Sequence, residues 1–232
     1  DTTIRADYTL SFQFPKLAFL IQENHDFVGE WYILFIGLHP DFIKEVETPY
    51  YYIESSYISR LMRPRGKFSH KGTYGHGLLI AGSYGMMGAA VLAAKSAVRS
   101  GPGLLTSHVP RLAVEVLQSS IPESLISIDE SDFHFTEHPD LSGFSAVGIG
   151  PGLNQKSNTR KGLLRLLKNV DVPLLIDADG LNILAREDNW QDLIPENTIL
   201  TPHPREFERL FGRFSDSISR LKAQLDFSVK HK

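Results

Sequence analysis

Four short stretches of this 232-residue chain gather residue types able to work on a small ligand. "LLIAGSYGMMGAA", Leu78 to Ala90, is an apolar run that breaks into glycines and resumes as a small-residue helix. "SAVGIGPGLNQ" ends a second run in Gly150-Pro151-Gly152. "PLLIDADGLNIL" closes a third in two acids, Asp177 and Asp179, with Asn182 just beyond. "NTILTPHPREFERLFG" sets His203 between Pro202 and Pro204, with Glu206 in the first turn of the next helix. Glycines let the backbone approach a ligand closely, and their exposed N–H groups can meet anionic oxygens. Asp177, at a strand end, could face a metal–phosphate site, and Asn182 could supply an amide to the same pocket. An imidazole stiffened by two prolines reads as a ligand contact rather than as core filler.

The elements that must position these residues follow from the apolar runs. Strand candidates are "GLLIAG", "GLLTSHV", "SAVGIG", "PLLIDA" and "NTILT". Helical patterns separate most of them: "GAAVLAAKSAVRSG", "RLAVEVLQSS", "NTRKGLLRLLKNV" and "LNILARE". Unbroken apolar strands alternating with helices predict a parallel sheet covered on both faces. Ligands of such sheets sit beyond the carboxyl ends of the strands. The residues there are Gly82 to Gly85, Ser107-His108, Gly150 to Gly152, Asp177 to Asp179 and Thr201 to Pro204. Asp179 is expected to turn outward and cap the helix "LNILARE". Ahead of this rhythm, two strands with period-two alternation are expected at Tyr8 to Phe14 and Glu30 to Leu38. A crossing segment follows, broken at Pro64-Arg65-Gly66.

The remaining composition excludes several classes. A net charge of −3 argues against nucleic acid or an acidic membrane as the main partner. The basic stretch Arg60 to Lys71 reads as a solvated connector. No apolar run is long enough to span a bilayer. The absence of cysteine excludes disulfides and thiol chemistry and fits a reducing, cytoplasmic compartment. Asp1 enters strand-like alternation almost at once, and Lys232 ends a polar helical pattern, so a longer protein is expected on both sides.

The glycine turn admits few readings. Gly82-x-x-Gly85-x-x-Gly88 lacks both the spacing and the downstream acid of a dinucleotide fingerprint, and no phosphate-binding G-x-x-x-x-G-K-[ST] occurs. "AGSYG" resembles a nucleophile elbow, with Ser83, Asp177 or Asp179, and His203 in hydrolase order. Against that, the convincing helix begins only near Gly88, and the flanking prolines stiffen His203. A glycine-walled pocket and a tight helix–sheet contact at Gly88 to Ala90 both remain open on these residues alone.

Taken in order, "SHKGTYGHGLLIAGSYGMMGAAVLAAKSAVRSGPGLLT", "VGIGPGL", "LLIDADGLNIL" and "ILTPHPREFERLFG" resemble the NAD(P)H-hydrate dehydratase family, over about Glu54 to Gly212. Residues 1–47, with "RADYTLSFQFPKLAFL" and "GEWYILFIGL", are similar to the closing strands of an NAD(P)H-hydrate epimerase domain. The resemblance implies a ribokinase-like layered α/β/α fold with a mainly parallel sheet, occupying 48–232 and incomplete at its C-terminus. It implies repair of hydrated NADH or NADPH: phosphorylation of the ring hydroxyl by ADP or ATP with Mg2+, then loss of phosphate. By position, Ala89, Gly152 and His203 would contact the hydrated nucleotide, with Asp177 and Asn182 in a polar centre. No residue is expected to hold a metal by itself. The family's general base and nucleotide loop would lie beyond Lys232, and the epimerase's catalytic residues, with their K+, before Asp1. Arg205 stands where many members have glycine. A homo-oligomer is expected. Alternatives are a ribokinase-like kinase of a sugar or small alcohol, a serine hydrolase using Ser83, and a non-catalytic binding module.

Overall fold

The unbroken apolar runs become the strands of one sheet whose two faces are both covered. The computed structural model describes residues 3–62 and 64–232, so Asp1, Thr2 and Arg63 of the basic stretch lie outside the described residues. Two units separate: Asp1–Gly66 with Phe214–Phe227, and Lys67–Arg213 with Ser228–Lys232.

In the first unit, β1 (Tyr8–Phe12) and β2 (Glu30–Leu34) pair in parallel, Tyr8 beside Glu30. β1 stops short of the expected Phe14 because Gln13 turns to φ +61°. Tyr8, Leu10 and Phe12 lie exposed on one face of β1, while Ser11 on the other is buried. Short helices accompany them: α1 (His25–Val28) between the strands, then α2 (Pro40–Glu45) and α3 (Ser55–Leu61), the last formed from the expected crossing segment.

The second unit carries the six-stranded sheet. Its strands are β3 (His76–Ile80), β4 (Leu104–Val109), β5 (Leu125–Ile128), β6 (Ala146–Ile149), β7 (Leu174–Ile176) and β8 (Ile199–Leu200). Their spatial order is β5-β4-β3-β6-β7-β8, and every pairing is parallel. The intervening helices are α4 (Met87–Ser100), α5 (Val114–Ser120), α6 (Ser157–Asn169), α7 (Ala178–Leu184) and α8 (Pro204–Phe211); α9 (Ser217–His231), whose residues up to Phe227 belong to the first unit, follows in the chain. Along β3, Leu79 joins Ala90 and Ala94 of α4 and Leu117 of α5 in one cluster. Leu78 and Ile80 point to the opposite face and are equally buried, as a doubly covered sheet requires. This is the layered α/β/α arrangement expected from the sequence.

In the first unit β2 ends at Leu34 rather than at the expected Leu38, and two details of the six-stranded sheet also differ from expectation. β5 was not among the expected strands, because "SLISI" alternates polar and apolar residues rather than running apolar. It forms one edge of the sheet, with Leu125 and Ile128 about half exposed. The third apolar run ends at Ile176, so α7 starts at Ala178 and Asp179 lies within its first turn rather than capping it.

Candidate functional site

The strand order locates the site. From β3 the chain winds outward through β4 to β5, then returns past β3 to β6 and winds the other way through β7 to β8. The winding therefore reverses between β3 and β6, the point at which sheets of this kind place a ligand crevice beyond the strands' carboxyl ends. The two turns that meet at this point are the glycine stretches around Gly82 and Gly150.

They are locked together. Gly82 N–H donates to the Pro151 carbonyl at 2.8 Å, and the Ser83 hydroxyl donates to the Gly152 carbonyl at 2.8 Å. Gly152 has φ +65°, and a Cβ there would lie 2.9 Å from both the Ala89 Cβ and the Met86 carbonyl oxygen. Ala89, in the first turn of α4, is thus packed directly against Gly152. Gly150 lies even closer to its neighbour, since a Cβ on it would fall 1.8 Å from the Asp177 carbonyl oxygen. Only a residue without a side chain lets these turns approach so closely. Ser83 is 1% exposed, its hydroxyl is spent on Gly152, and α4 begins four residues later. The hydrolase arrangement is therefore not assembled.

Asp177 ends β7 beside these turns, its N–H bonded to the Ile149 carbonyl at 3.0 Å. Its half-buried carboxylate has no hydrogen-bond or ion-pair partner among the described residues. The next residue, Ala178, is held at φ +48°, a conformation that costs a non-glycine residue about 1–2 kcal/mol. Asp179 instead accepts the Asn154 N–H at 2.9 Å and the Gln155 amide at 2.7 Å. Asn182 turns to α8, where its amide oxygen accepts from Arg209. Asp177 and Asn182 thus have different surroundings.

His203 forms the N-cap of α8. Its Nδ1 accepts the N–H groups of Arg205 and Glu206 at 3.1 and 3.4 Å, and the Glu206 carboxylate accepts the His203 N–H at 3.0 Å. Its Nε2 lies 3.3 Å from Glu206 Oε1. The amides fix Nδ1 as an acceptor, so in the neutral ring Nε2 carries the proton. The prolines hold the turn, the buried Glu206 orients the ring, and more than half of the side chain faces solvent. Arg205 is exposed.

The carboxyl end of β4 serves another purpose. His108 is buried, with Nδ1 2.9 Å from the Ser127 hydroxyl and Nε2 3.2 Å from Asp129. Burial works to raise the Asp129 pKa, but hydrogen bonds from His108, Thr136 and Ser131 hold it well below the usual carboxylate range. Asp129 carries no sequence motif, and it ties the β5–β6 connection to the sheet. His134, on the same connection, has a buried Nδ1 without a partner. Burial and the nearby Lys156 ammonium push its pKa down, against a weaker pull from Asp129.

No group of three His, Cys, Asp or Glu side chains able to hold a metal ion occurs among the described residues. Asp177 offers a single uncommitted carboxylate, which suits Mg2+ brought in on phosphate oxygens, because that ion commonly takes only one or two protein carboxylates.

Residues 77–231 match the Carb_kinase family, described as NAD(P)H-hydrate dehydratase. The bifunctional NAD(P)H-hydrate repair enzyme Nnr of Coxiella burnetii is 34% identical over 224 residues, covering 96% of this chain and 44% of that protein. The ADP-dependent (S)-NAD(P)H-hydrate dehydratase of Streptococcus thermophilus is 34% identical over 164 residues, covering 69% of this chain and 57% of that protein. The chain spans about half the length of the curated relatives it matches. Among solved structures, the ADP/ATP-dependent NAD(P)H-hydrate dehydratase of Bacillus subtilis, co-crystallised with ATP and Mg2+, aligns at TM-score 0.56 and 30% identity. That alignment covers 74% of this chain and 59% of the other. A ribokinase-like superfamily protein of Enterococcus faecalis aligns at TM-score 0.64 and 21% identity over 78% of this chain and 66% of the other, a likeness of fold alone.

Proposed function

The chain belongs to the NAD(P)H-hydrate dehydratase family, and from that premise we propose that it contributes the hydrate-binding wall of an ADP- or ATP-dependent repair enzyme. The substrate is NADH or NADPH hydrated on the nicotinamide ring. Phosphoryl transfer to the ring hydroxyl turns a poor leaving group into a good one. Loss of phosphate, with a proton from the adjacent carbon, then restores the double bond.

The observation that carries this reading is the meeting of the β3 and β6 turns, where Ala89 packs on Gly152, Gly150 packs on the backbone of Asp177, and the Asp177 carboxylate is left uncommitted. Ala89 and Gly152 give the substrate a close backbone wall. His203 reaches it from the β8 turn through its exposed ring edge, held in one tautomer by the α8 amides and Glu206. Asp177 faces the phosphoryl donor, and Mg2+ bound with the donor's phosphates would neutralise charge during transfer. Asn182 takes part through its contact with Arg209. No described residue is assigned as the general base. Residues 1–47 are read as the closing strands of an epimerase domain, whose K+ would be held elsewhere, and 48–232 as part of the dehydratase domain. The compartment is read as cytoplasmic and the assembly as a homo-oligomer.

The test uses the full-length gene product, with this 232-residue chain as a control. Each is mixed with hydrated NADH, Mg2+ and either ADP or ATP while dihydronicotinamide absorbance is followed. Recovery with one donor supports the assignment and names the donor. Folded full-length protein that restores nothing with either donor, but phosphorylates a sugar or small alcohol, overturns it.

A further inference from the structure

A concavity of about 350 Å³ is lined by Gln155, Asn182, Ala185, Arg186 and Arg209. Three elements build it. α7 presents Asp179 and Asn182 on adjacent turns, and the turn just past its end carries Arg186. α8 brings Arg209, and the loop after Gly152 brings Gln155.

The wiring of the two arginines is unusual. Gln155 donates its amide to Asp179 at 2.7 Å and accepts from Arg186 through its oxygen. Asn182 accepts from Arg209 in the same way. The nearby carboxylates are committed elsewhere: Asp179 to the Asn154 N–H and Gln155, and Glu187 to both ends of the Arg160 fork. Neither Arg186 nor Arg209 forms an ion pair among the described residues. Each guanidinium has five N–H donors, and one on each is accounted for. Neutral amides therefore fix the orientation of two cations without cancelling their charge.

Two oriented, uncancelled guanidinium groups on one concavity match the oxygens of a phosphate group, which such forks bind in a bidentate manner. We propose that this pocket is an anion site for a phosphate group, either free or carried on a nucleotide. A site of about 350 Å³ exceeds the needs of one phosphate, so a diphosphate or a phosphate ester fits as well.

The test is calorimetric titration of the intact protein at constant ionic strength with inorganic phosphate, pyrophosphate and ADP, without hydrated substrate. Saturable pyrophosphate binding is expected. It should weaken about tenfold or more in Arg186→Gln/Arg209→Gln, since each substitution removes the charge-assisted, forked hydrogen bonds of a guanidinium. Should the double variant fail to fold, Arg186→Gln and Arg209→Gln are read singly, each weakening binding severalfold. ADP affinity that falls in parallel identifies nucleotide-borne phosphate as the ligand; a fall for inorganic phosphate and pyrophosphate alone identifies the free anion. No saturable binding, or affinities in the variants within about twofold of wild type, overturns the proposal. Because turnover is not the readout, either result leaves the dehydratase assignment to its own test.

Discussion

Replacing Ser83 with alanine separates two incompatible roles for the residue at the centre of the glycine turn. In the structure its hydroxyl is buried and spent on the Gly152 carbonyl at 2.8 Å, so Ser83 braces one turn against the other. Ser83→Ala removes the donor and leaves a carbonyl in a water-poor site, a loss of about 1–3 kcal/mol. For a unit of this size, each kcal/mol lowers Tm by roughly 2–4 °C, so thermal denaturation should shift down by roughly 2–12 °C. Gly82→Ala at the same turn should cost more. It adds a Cβ 2.9 Å from the Ala90 Cβ at φ +82°, combining about 1–2 kcal/mol of backbone strain with about 1–3 kcal/mol of overpacking. Both effects are read by thermal denaturation, followed by hydrate turnover of the full-length protein below the lowered Tm. A brace predicts that Ser83→Ala keeps measurable kcat and raises KM as the wall loosens. An unchanged Tm together with abolished turnover refutes the brace and returns Ser83 to chemistry.

The other predictions address the neighbouring turns and the buried charges. Gly150→Ala places a Cβ 1.8 Å from the Asp177 carbonyl oxygen, where no side chain can give way. It should abolish hydrate binding or folding, and an active variant with normal Tm would show that the two turns do not touch. His203→Ala should lose about 1 kcal/mol of cap stability and raise the KM for hydrate. His203→Asn, a good capping residue, should recover the melting temperature but not the KM, and recovery of both would reduce His203 to a cap. Acidification should act in two steps. The folded pKa of His134 lies below its ordinary value, so its contribution is present above about pH 6.5 and declines as the ring protonates below that. Asp129, also lowered, contributes above about pH 4 and fails only in stronger acid. Urea titrations from pH 8 to pH 3 should show the upper step vanish in His134→Gln, while a step that persists assigns it to another group.

The carboxyl-end turns were legible because their residue types are constrained by their conformations. Gly82, Gly150 and Gly152 all have positive φ, and their positions stand out in the sequence as breaks in apolar runs. His203 was legible through its prolines, although its capping bonds to the α8 amides depend on where the helix begins. Other features left no such trace. β5 was hidden because an edge strand with one wet face keeps alternating polarity. Arg186 lies in the turn past α7 and Arg209 on α8, and they line one concavity only through the packing of α7 on α8, so no local spacing announces them. Asp129 is equally silent, since its partner His108 lies 21 residues away on the adjacent strand. Asp179 read as a cap, yet the strand ends at Ile176, two residues sooner than the pattern "PLLIDA" suggests, and the cap position falls on Asp177.

The close contacts around Gly150 also account for the condition of Asp177. A carboxylate at a strand end would ordinarily find an N–H or a cation, because an uncommitted, half-buried charge is costly. Here the backbone of Asp177 is held by the Ile149 carbonyl and pressed against Gly150, and Ala178 is held at positive φ. The chain cannot easily re-aim the side chain toward a protein partner without undoing these contacts. At the proposed site the glycine turns would thus do more than admit a ligand. By fixing the backbone on either side of Asp177, they keep its carboxylate available, so little reorganisation remains when charge arrives in the crevice. Relaxing the turn at Gly150 should therefore disable Asp177 even though Gly150 contributes no side chain to the site.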